Sequence, residues 1–235
     1  MSQIAFGAKK YVDLSHTEHL ELFENEKPIW NALNLIESYL KSKGNKKILG
    51  SVHPQAVIGD HVHIGKGTVV ESGVVIKGPA WIGENCQLRS GCYVRENVVV
   101  GNGVVMGNSC EFKNCVLFDA AEVPHFNYVG DAILGYKAHL GAGVILSNVR
   151  LDRAEVKIAG LEGWVGTGRK KFSAVIGDRT EIGCNAVISP GTLLGRDCLV
   201  YPCANISGEF ADQTIVKVRQ TVQRIQRRLT DQNNK

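Results

Sequence analysis

The sequence predicts an all-β solenoid: a left-handed parallel β-helix of hexapeptide repeats, with short N-terminal helices, a protruding loop and a C-terminal helix. Three observations lead there. An aliphatic or aromatic residue recurs at every sixth position from Val52 through Ile58, Ile64, Val70, Ile76, Ile82, Leu88, Val94, Val100, Met106 and Phe112 to Phe118. Small residues such as Ala56, Thr68, Ala80, Cys86 and Cys92 stand two places before it, and glycines such as Gly59, Gly65, Gly83, Gly101 and Gly107 directly after. The same period returns at Leu134, Leu140 and Leu146, and again from Ile176 to Ile206. A helix cannot keep one face at this period, because six residues rotate it by about 240°. Short strands separated by regular turns can, three of them making one coil of a triangular prism, with coils stacked roughly 4.8 Å apart.

Three segments follow in order: an N-terminal helical arm or cap (1–50), the β-helix (51–208, with an insertion at about 150–172), and a C-terminal strand and helix (209–235). In the first, Ser15 and Glu18 fit a capping box opening a short helix to about Phe23. Pro28 suits a first helical position. Ile29, Leu33, Ile36 and Leu40 mark one face, and Gly44 a stop. Within the β-helix the spacing from Phe118 to Leu134 is not a multiple of six, which predicts a bulge or short loop leaving the prism. Between Leu146 and Ile176 the period holds, but the polar run from Arg150 and the segment GLEGWVGTG predict a protruding loop or hairpin. Thr214 to Val218 reads as a last strand, and Val218, Val222, Ile225 and Leu229 as one stripe of a terminal helix.

Composition bounds the function. The chain has 235 residues, 44% of them hydrophobic, with 26 glycines and a formal charge of +4. The excess positive charge clusters near the C-terminus without interleaved aromatics, which fits a solvated face or a phosphate-bearing ligand better than nucleic acid. The seven cysteines form no CxxC pair, and Cys86, Cys92, Cys110 and Cys198 fall on the small-residue phase. They read as buried packers in a reducing, cytoplasmic compartment. No apolar run reaches the roughly twenty residues of a membrane span. His53, His61 and His63 lack the spacing of a histidine metal site, so no metal is expected.

The rhythm slips around PHFNYVGDAILGYKAHLGAGVILSNVRLD, residues 124–152, where His125, Asn127, Tyr128, His139 and Asn148 gather. A repeat that breaks its own rule around polar residues marks a candidate site. His125 is the best general base there, and the small residues Gly141, Ala142 and Gly143 leave backbone bare for a ligand. Arg95 and Lys113 are one coil apart, so they should stack as a two-cation phosphate clamp.

At PHFNYVGD, LGAGVILSNVRLD and GRKKF the sequence resembles the acetyltransferase domain of bifunctional N-acetylglucosamine-1-phosphate uridylyltransferase/glucosamine-1-phosphate acetyltransferases. It resembles the archaeal-type sugar-1-phosphate nucleotidylyltransferase/acetyltransferases more closely, over most of residues 50–210. The resemblance implies a CoA-dependent acetyltransferase serving UDP-N-acetylglucosamine or related nucleotide-sugar synthesis. It makes His125 the base, places Asn148 near the acceptor amine and sets the Ala142 backbone against the acetyl-CoA thioester. Arg95, Lys113, Asn127, Tyr128, His139 and Lys171 fall to the sugar phosphate. Ala142, Cys184 and Arg219 fall to acetyl-CoA. His139 stands where the uridylyltransferases have asparagine, Val149 where they have tyrosine and Cys184 where they have serine. The family also implies a homotrimer with shared sites. No nucleotidyltransferase domain precedes residue 50, so a separate nucleotidyltransferase is an expected partner. Two alternatives stay open: an acyltransferase on another sugar-nucleotide or hydroxyl acceptor, and a non-catalytic partner of that nucleotidyltransferase.

Overall fold

A computed structural model describes residues 6–23, 27–44, 47–160, 163–219 and 221–226. Its body is a parallel β-solenoid of triangular section. Among the described residues nine short strands stack on the first face, from Ser51–Val52 to Ile215–Val216. Eight stack on the second, from Val57–Ile58 to Asn205–Ile206, and eight on the third, from Val62–Ile64 to Glu209–Phe210. Every pairing within the three faces is parallel, with Val69 opposite Gln87 as a typical register. The predicted aliphatic residues point inward: Ile64, Val70, Ile76, Ile82, Leu88, Val94, Val100, Met106 and Phe112 are almost completely buried in one continuous core. Cys86, Cys92, Cys110 and Cys198 are buried packers as expected. Cys115 is also buried, while Cys184 and Cys203 are exposed.

The slip in the period has a different cause from the predicted loop. No segment leaves the prism between Phe118 and Leu134. Instead two coils are each one residue short, so that Val98 faces Cys115 and Val116 faces Ile133 on the third face. Leu117, not Phe118, fills the core after Phe112, and Val123 and Val129 continue the series to Leu134. A one-residue shift sends a strand's side chains to the opposite face. Phe118 therefore points outward, its ring 5.3 Å from that of Phe23.

That outward contact belongs to a second core. The outer row of the third face includes Val99, Val116, Ile133, Val175 and Leu193, an apolar surface that must be covered. The N-terminal segment covers it, lying along the face rather than extending as an arm. Tyr11, Val12, Trp30, Leu33, Ile36 and Leu40 are buried against it. Helix α1 (Ala32–Ser42) follows a 3-10 turn at Ile29–Asn31 that Pro28 precedes. It ends at Lys43, where Gly44 takes φ +66°. The capping box at Ser15 and Glu18 does not form. Asp13 caps a 3-10 turn (Leu14–His16) by accepting from Ser15 N at 3.0 Å, and Glu18 accepts from Trp81 Nε1. The expected helix to Phe23 is a second 3-10 turn, Leu20–Leu22.

The insertion is a β-hairpin, Lys157–Gly160 against Gly163–Gly166. Its base closes over the third face through buried Val156, Ile158 and Phe172, while Trp164 is exposed. After the last strand the expected helix is absent from residues 218, 219 and 221–226, and Leu229 lies outside the described residues. Val218, Val222 and Ile225 are exposed. A short amphipathic helix draws its stability from a surface to pack on, and Val218, Val222 and Ile225 meet none among the described residues.

His19 gives the covered face a pH dependence. It is fully buried, Nδ1 lies 2.7 Å from Tyr39 Oη, and its ring stands edge-on to Trp81. Burial, aided by the Lys43 charge, pushes its pKa down from 6.5 to about 4. The unfolded chain gains a proton as pH falls below 6.5, whereas the native chain does not until about 4. Stability present at pH 7 is therefore lost across that window, by about 3 kcal/mol at its full extent. Urea midpoints between pH 7 and 4 should show this slope, and His19→Gln should flatten it. An unchanged slope in that variant would assign the effect to other groups.

Candidate active site

The site residues fall into two columns on either side of the second face. The first column runs along the corner between the first and second faces. His125 ends the strand Glu122–His125 with its side chain exposed. Gly143 N donates to His125 O at 3.0 Å, and Asn185 N donates to Ala142 O at 2.9 Å. His125, Ala142 and Cys184 thus stack coil upon coil. Gly141 is required in this column: a Cβ there would lie 2.7 Å from Cys184 N, and this close approach keeps the backbone bare.

Asn127 takes no part on the outside, contrary to its assignment to a substrate. Its side chain is buried in the prism, where Nδ2 donates to Gly141 O at 2.8 Å and Val144 O at 3.3 Å. Its Oδ1 accepts from His125 N at 3.1 Å. It occupies an inward position of the repeat, and with Cys110 Sγ donating to its Oδ1 from the preceding coil, its polar atoms bolt three turns of the corner together. His125 and Tyr128 accordingly lie in the strands of the prism wall, not outside it.

His139 lies on the first face, between Glu122 and Glu181 in register. Its Nδ1 is 2.7 Å from Glu181 Oε2. With Gly141, Cys184, Tyr201 and Pro202 these two residues line a shallow groove beside Ala142. Arg219 lies beyond the last strand and is exposed, with no hydrogen bond or ion pair to a described residue. The structure does not bring it to this groove.

The second column occupies the corner between the second and third faces. Arg95 and Lys113 stack one coil apart, as their spacing requires, with Arg95 N donating to Phe112 O at 2.9 Å. Each already has a carboxylate. Arg95 Nη1 is 3.0 Å from Glu111 Oε1, and Lys113 Nζ is 3.7 Å from Asp131 Oδ2. Tyr128 lies one coil above Glu111. Burial, then the charges of Asp131 and Glu111, raise its pKa, so its hydroxyl stays protonated. Asn148 Nδ2 donates to Tyr128 Oη at 3.2 Å. Lys171 is joined to the cluster through an isolated bridge with Val149. Asp131 and Arg169, which lie within PHFNYVGD and GRKKF but to which the sequence assigns no role, are paired at its centre at 3.3 Å. Only the fold reveals their pairing, because Arg169 arrives from the far side of the hairpin.

Among the described residues no group of His, Cys, Asp and Glu could hold a metal ion. His63 instead stacks on Trp81 at 3.9 Å, and His53 Nδ1 accepts from Gln55 N. No helix among them is long and apolar enough to cross a membrane.

A six-residue parallel solenoid with a histidine beside bare backbone defines the class of hexapeptide-repeat proteins. Two family models match it: "GMPPB C-terminal domain" over residues 76–161, and "Hexapeptide repeat of succinyl-transferase" over residues 174–206. An uncharacterized acetyltransferase YaiX of Escherichia coli O6:K15:H31 is 32% identical over 71% of this chain and 74% of its own length. The chain belongs to this family of hexapeptide-repeat acetyltransferases. A bifunctional sugar-1-phosphate nucleotidylyltransferase/acetyltransferase of Sulfurisphaera tokodaii is 35% identical over 107 residues, and the chain covers 27% of that protein. Among solved structures, a UDP-N-acetylglucosamine acyltransferase from Campylobacter jejuni aligns over 70% of each chain at 14% identity, with a TM-score of 0.45.

Proposed function

We propose that the chain transfers the acetyl group of acetyl-CoA to the amino group of an aminosugar 1-phosphate, glucosamine 1-phosphate or galactosamine 1-phosphate. The observation that carries this reading is the pairing of columns. An exposed histidine beside bare backbone stands at one edge of the second face, and a cluster of cations, a protonated tyrosine and an amide stands at the other. A relative at 35% identity is named a sugar-1-phosphate nucleotidylyltransferase/acetyltransferase, which supports the same acceptor class.

The residues divide the work as follows. Lys113, Arg95 and Lys171 hold the acceptor phosphate, with Tyr128 beside the sugar, while His139 lines the donor groove. Asn148 meets the amine. His125 accepts a proton from that amine as its nitrogen bonds to the acetyl carbon. The backbone N–H of Ala142 stabilises the negative charge that develops on the acetyl oxygen. The C–S bond then breaks, and the sulfur leaves as thiolate to be protonated as free CoA. The groove fits the donor's pantetheine arm, because Gly141 and Ala142 leave it open along Cys184. When bound, acetyl-CoA supplies the activated acetyl group. Among the described residues no carboxylate orients the His125 ring, which fits a shared site completed by a neighbouring copy in a homotrimer.

Release of free CoA thiol across a panel of aminosugar 1-phosphates tests this. Turnover is expected with an amino acceptor and not with the matching hydroxy sugar phosphate. Equal turnover of both, or of neither, would overturn the reading.

A further inference from the structure

The second column is organised around Asp131, the last residue of PHFNYVGD, whose role the sequence does not show. The Asp131 carboxylate is 4% exposed. Its Oδ1 accepts from Asn114 Nδ2 at 2.8 Å and from Arg169 Nη2 at 3.3 Å. Its Oδ2 accepts from Asn148 Nδ2 at 2.7 Å and lies 3.7 Å from Lys113 Nζ. The backbone is fixed as well: Asp131 N donates to Lys113 O, Ser173 N donates to Asp131 O, and φ is +51°. Arg169 is anchored in turn to Lys171 O and Asn34 Oδ1, so the third-face cover holds the cluster in place.

This geometry decides which way Asn148 faces. An ionised carboxylate only accepts hydrogen bonds, so the Asn148 amide must turn its nitrogen to Asp131. That nitrogen also reaches Tyr128 Oη at 3.2 Å. Both amide hydrogens are thereby directed into the cluster. The carbonyl oxygen is left pointing away, with no donor to it among the described residues. An outward amide oxygen welcomes an N–H and repels a carbonyl or phosphate oxygen.

We propose that Asp131 is the positioning residue that holds the Asn148 amide oxygen outward, and so selects an acceptor that donates a hydrogen there, as a neutral amine does. This rests on the proposed acetyl transfer. Asp131 also leaves the Lys113–Arg169 pair with one net positive charge, enough to hold an anion without burying two unpaired cations.

The test exchanges the two groups. In Asp131→Asn the charge that pins Asn148 is gone, and the KM for the aminosugar 1-phosphate should rise at least tenfold while the KM for acetyl-CoA stays within about twofold. In Asn148→Asp two carboxylates face one another, and the loss should be larger. In the double exchange, Asp131→Asn with Asn148→Asp, the new amide at position 131 would donate to the new carboxylate at position 148. An oxygen again faces outward, and the acceptor KM should recover by tenfold or more relative to Asn148→Asp alone. A merely structural role would move both KM values and the thermal midpoint together, without recovery, and would overturn the proposal. The Asn148 side-chain amide signal, in protein labelled with 15N-asparagine, reads the geometry without any acceptor. It should be shifted and slow to exchange in the wild type and lose both properties in Asp131→Asn. An amide signal unchanged by Asp131→Asn overturns the positioning role. A pinned amide in a wild type that acetylates no aminosugar phosphate overturns the acceptor reading instead, so the two failures are told apart.

Discussion

His125→Ala is expected to lower kcat for acetyl transfer by roughly 10²–10⁴-fold, the contribution of a positioned general base. Its side chain is exposed at a strand end and no buried group depends on it, so the thermal midpoint should scarcely move. KM for the sugar phosphate should also change little, because the cations lie at the opposite edge of the second face. Thiol release under saturating substrates measures the effect. His139→Ala is the comparison that gives the result meaning. His139 has what His125 lacks among the described residues, a carboxylate at 2.7 Å to orient its ring. If His125→Ala kept full turnover and His139→Ala lost it, the base would be the carboxylate-held histidine of the groove.

The largest expected effect on stability is at Gly107. It lies in the strand Val105–Asn108, opposite Pro124, between the register pairs Met106–Val123 and Asn108–His125. A Cβ at Gly107 would lie 1.7 Å from Pro124 O and 2.0 Å from its carbonyl carbon. These are backbone atoms of a paired strand and cannot swing aside. Pro124 also has no N–H to give the ladder, so the two strands close on each other just before His125. Gly107→Ala should therefore cost at least about 4 kcal/mol, in the range reserved for disrupted cores. Whatever protein still folds should have a displaced His125 and a lower kcat. Gly103→Ala is the control. Gly103 has φ +67° and nothing within 4 Å of an added Cβ, so only conformational strain opposes the change. That strain is about 1–2 kcal/mol. Urea midpoints of the two variants should differ clearly, and equal midpoints would refute the steric argument.

The six-residue period made most of the solenoid legible, because every inward position is apolar and every coil obeys the same geometry. It misled where two neighbours were both apolar. Leu117 and Phe118 each suit a core, and only the pairing of Val98 with Cys115 shows which one faces inward. Two single-residue deletions on the third face looked like one long irregularity. The polar residues fall at two corners of the prism, and polarity alone could not separate Asn127, turned inward as a bolt, from Asn148, which stays at the surface. The pairing of Asp131 with Arg169 was invisible for a related reason. They lie 38 residues apart, and the hairpin that brings them together is an insertion with no repeat to predict its path. The C-terminal stripe has helical spacing, but its described members Val218, Val222 and Ile225 are exposed, and spacing alone cannot report whether a surface covers them.

The covered third face also constrains how copies of this prism can meet. One side of the triangle is sealed by the N-terminal segment and the hairpin base, and side-by-side packing has the other two sides to use. The edge between those two sides carries His125, Ala142 and Cys184. A seam formed from both open sides would run along this edge, so the segment that seals the third side would set His125 at the boundary between molecules.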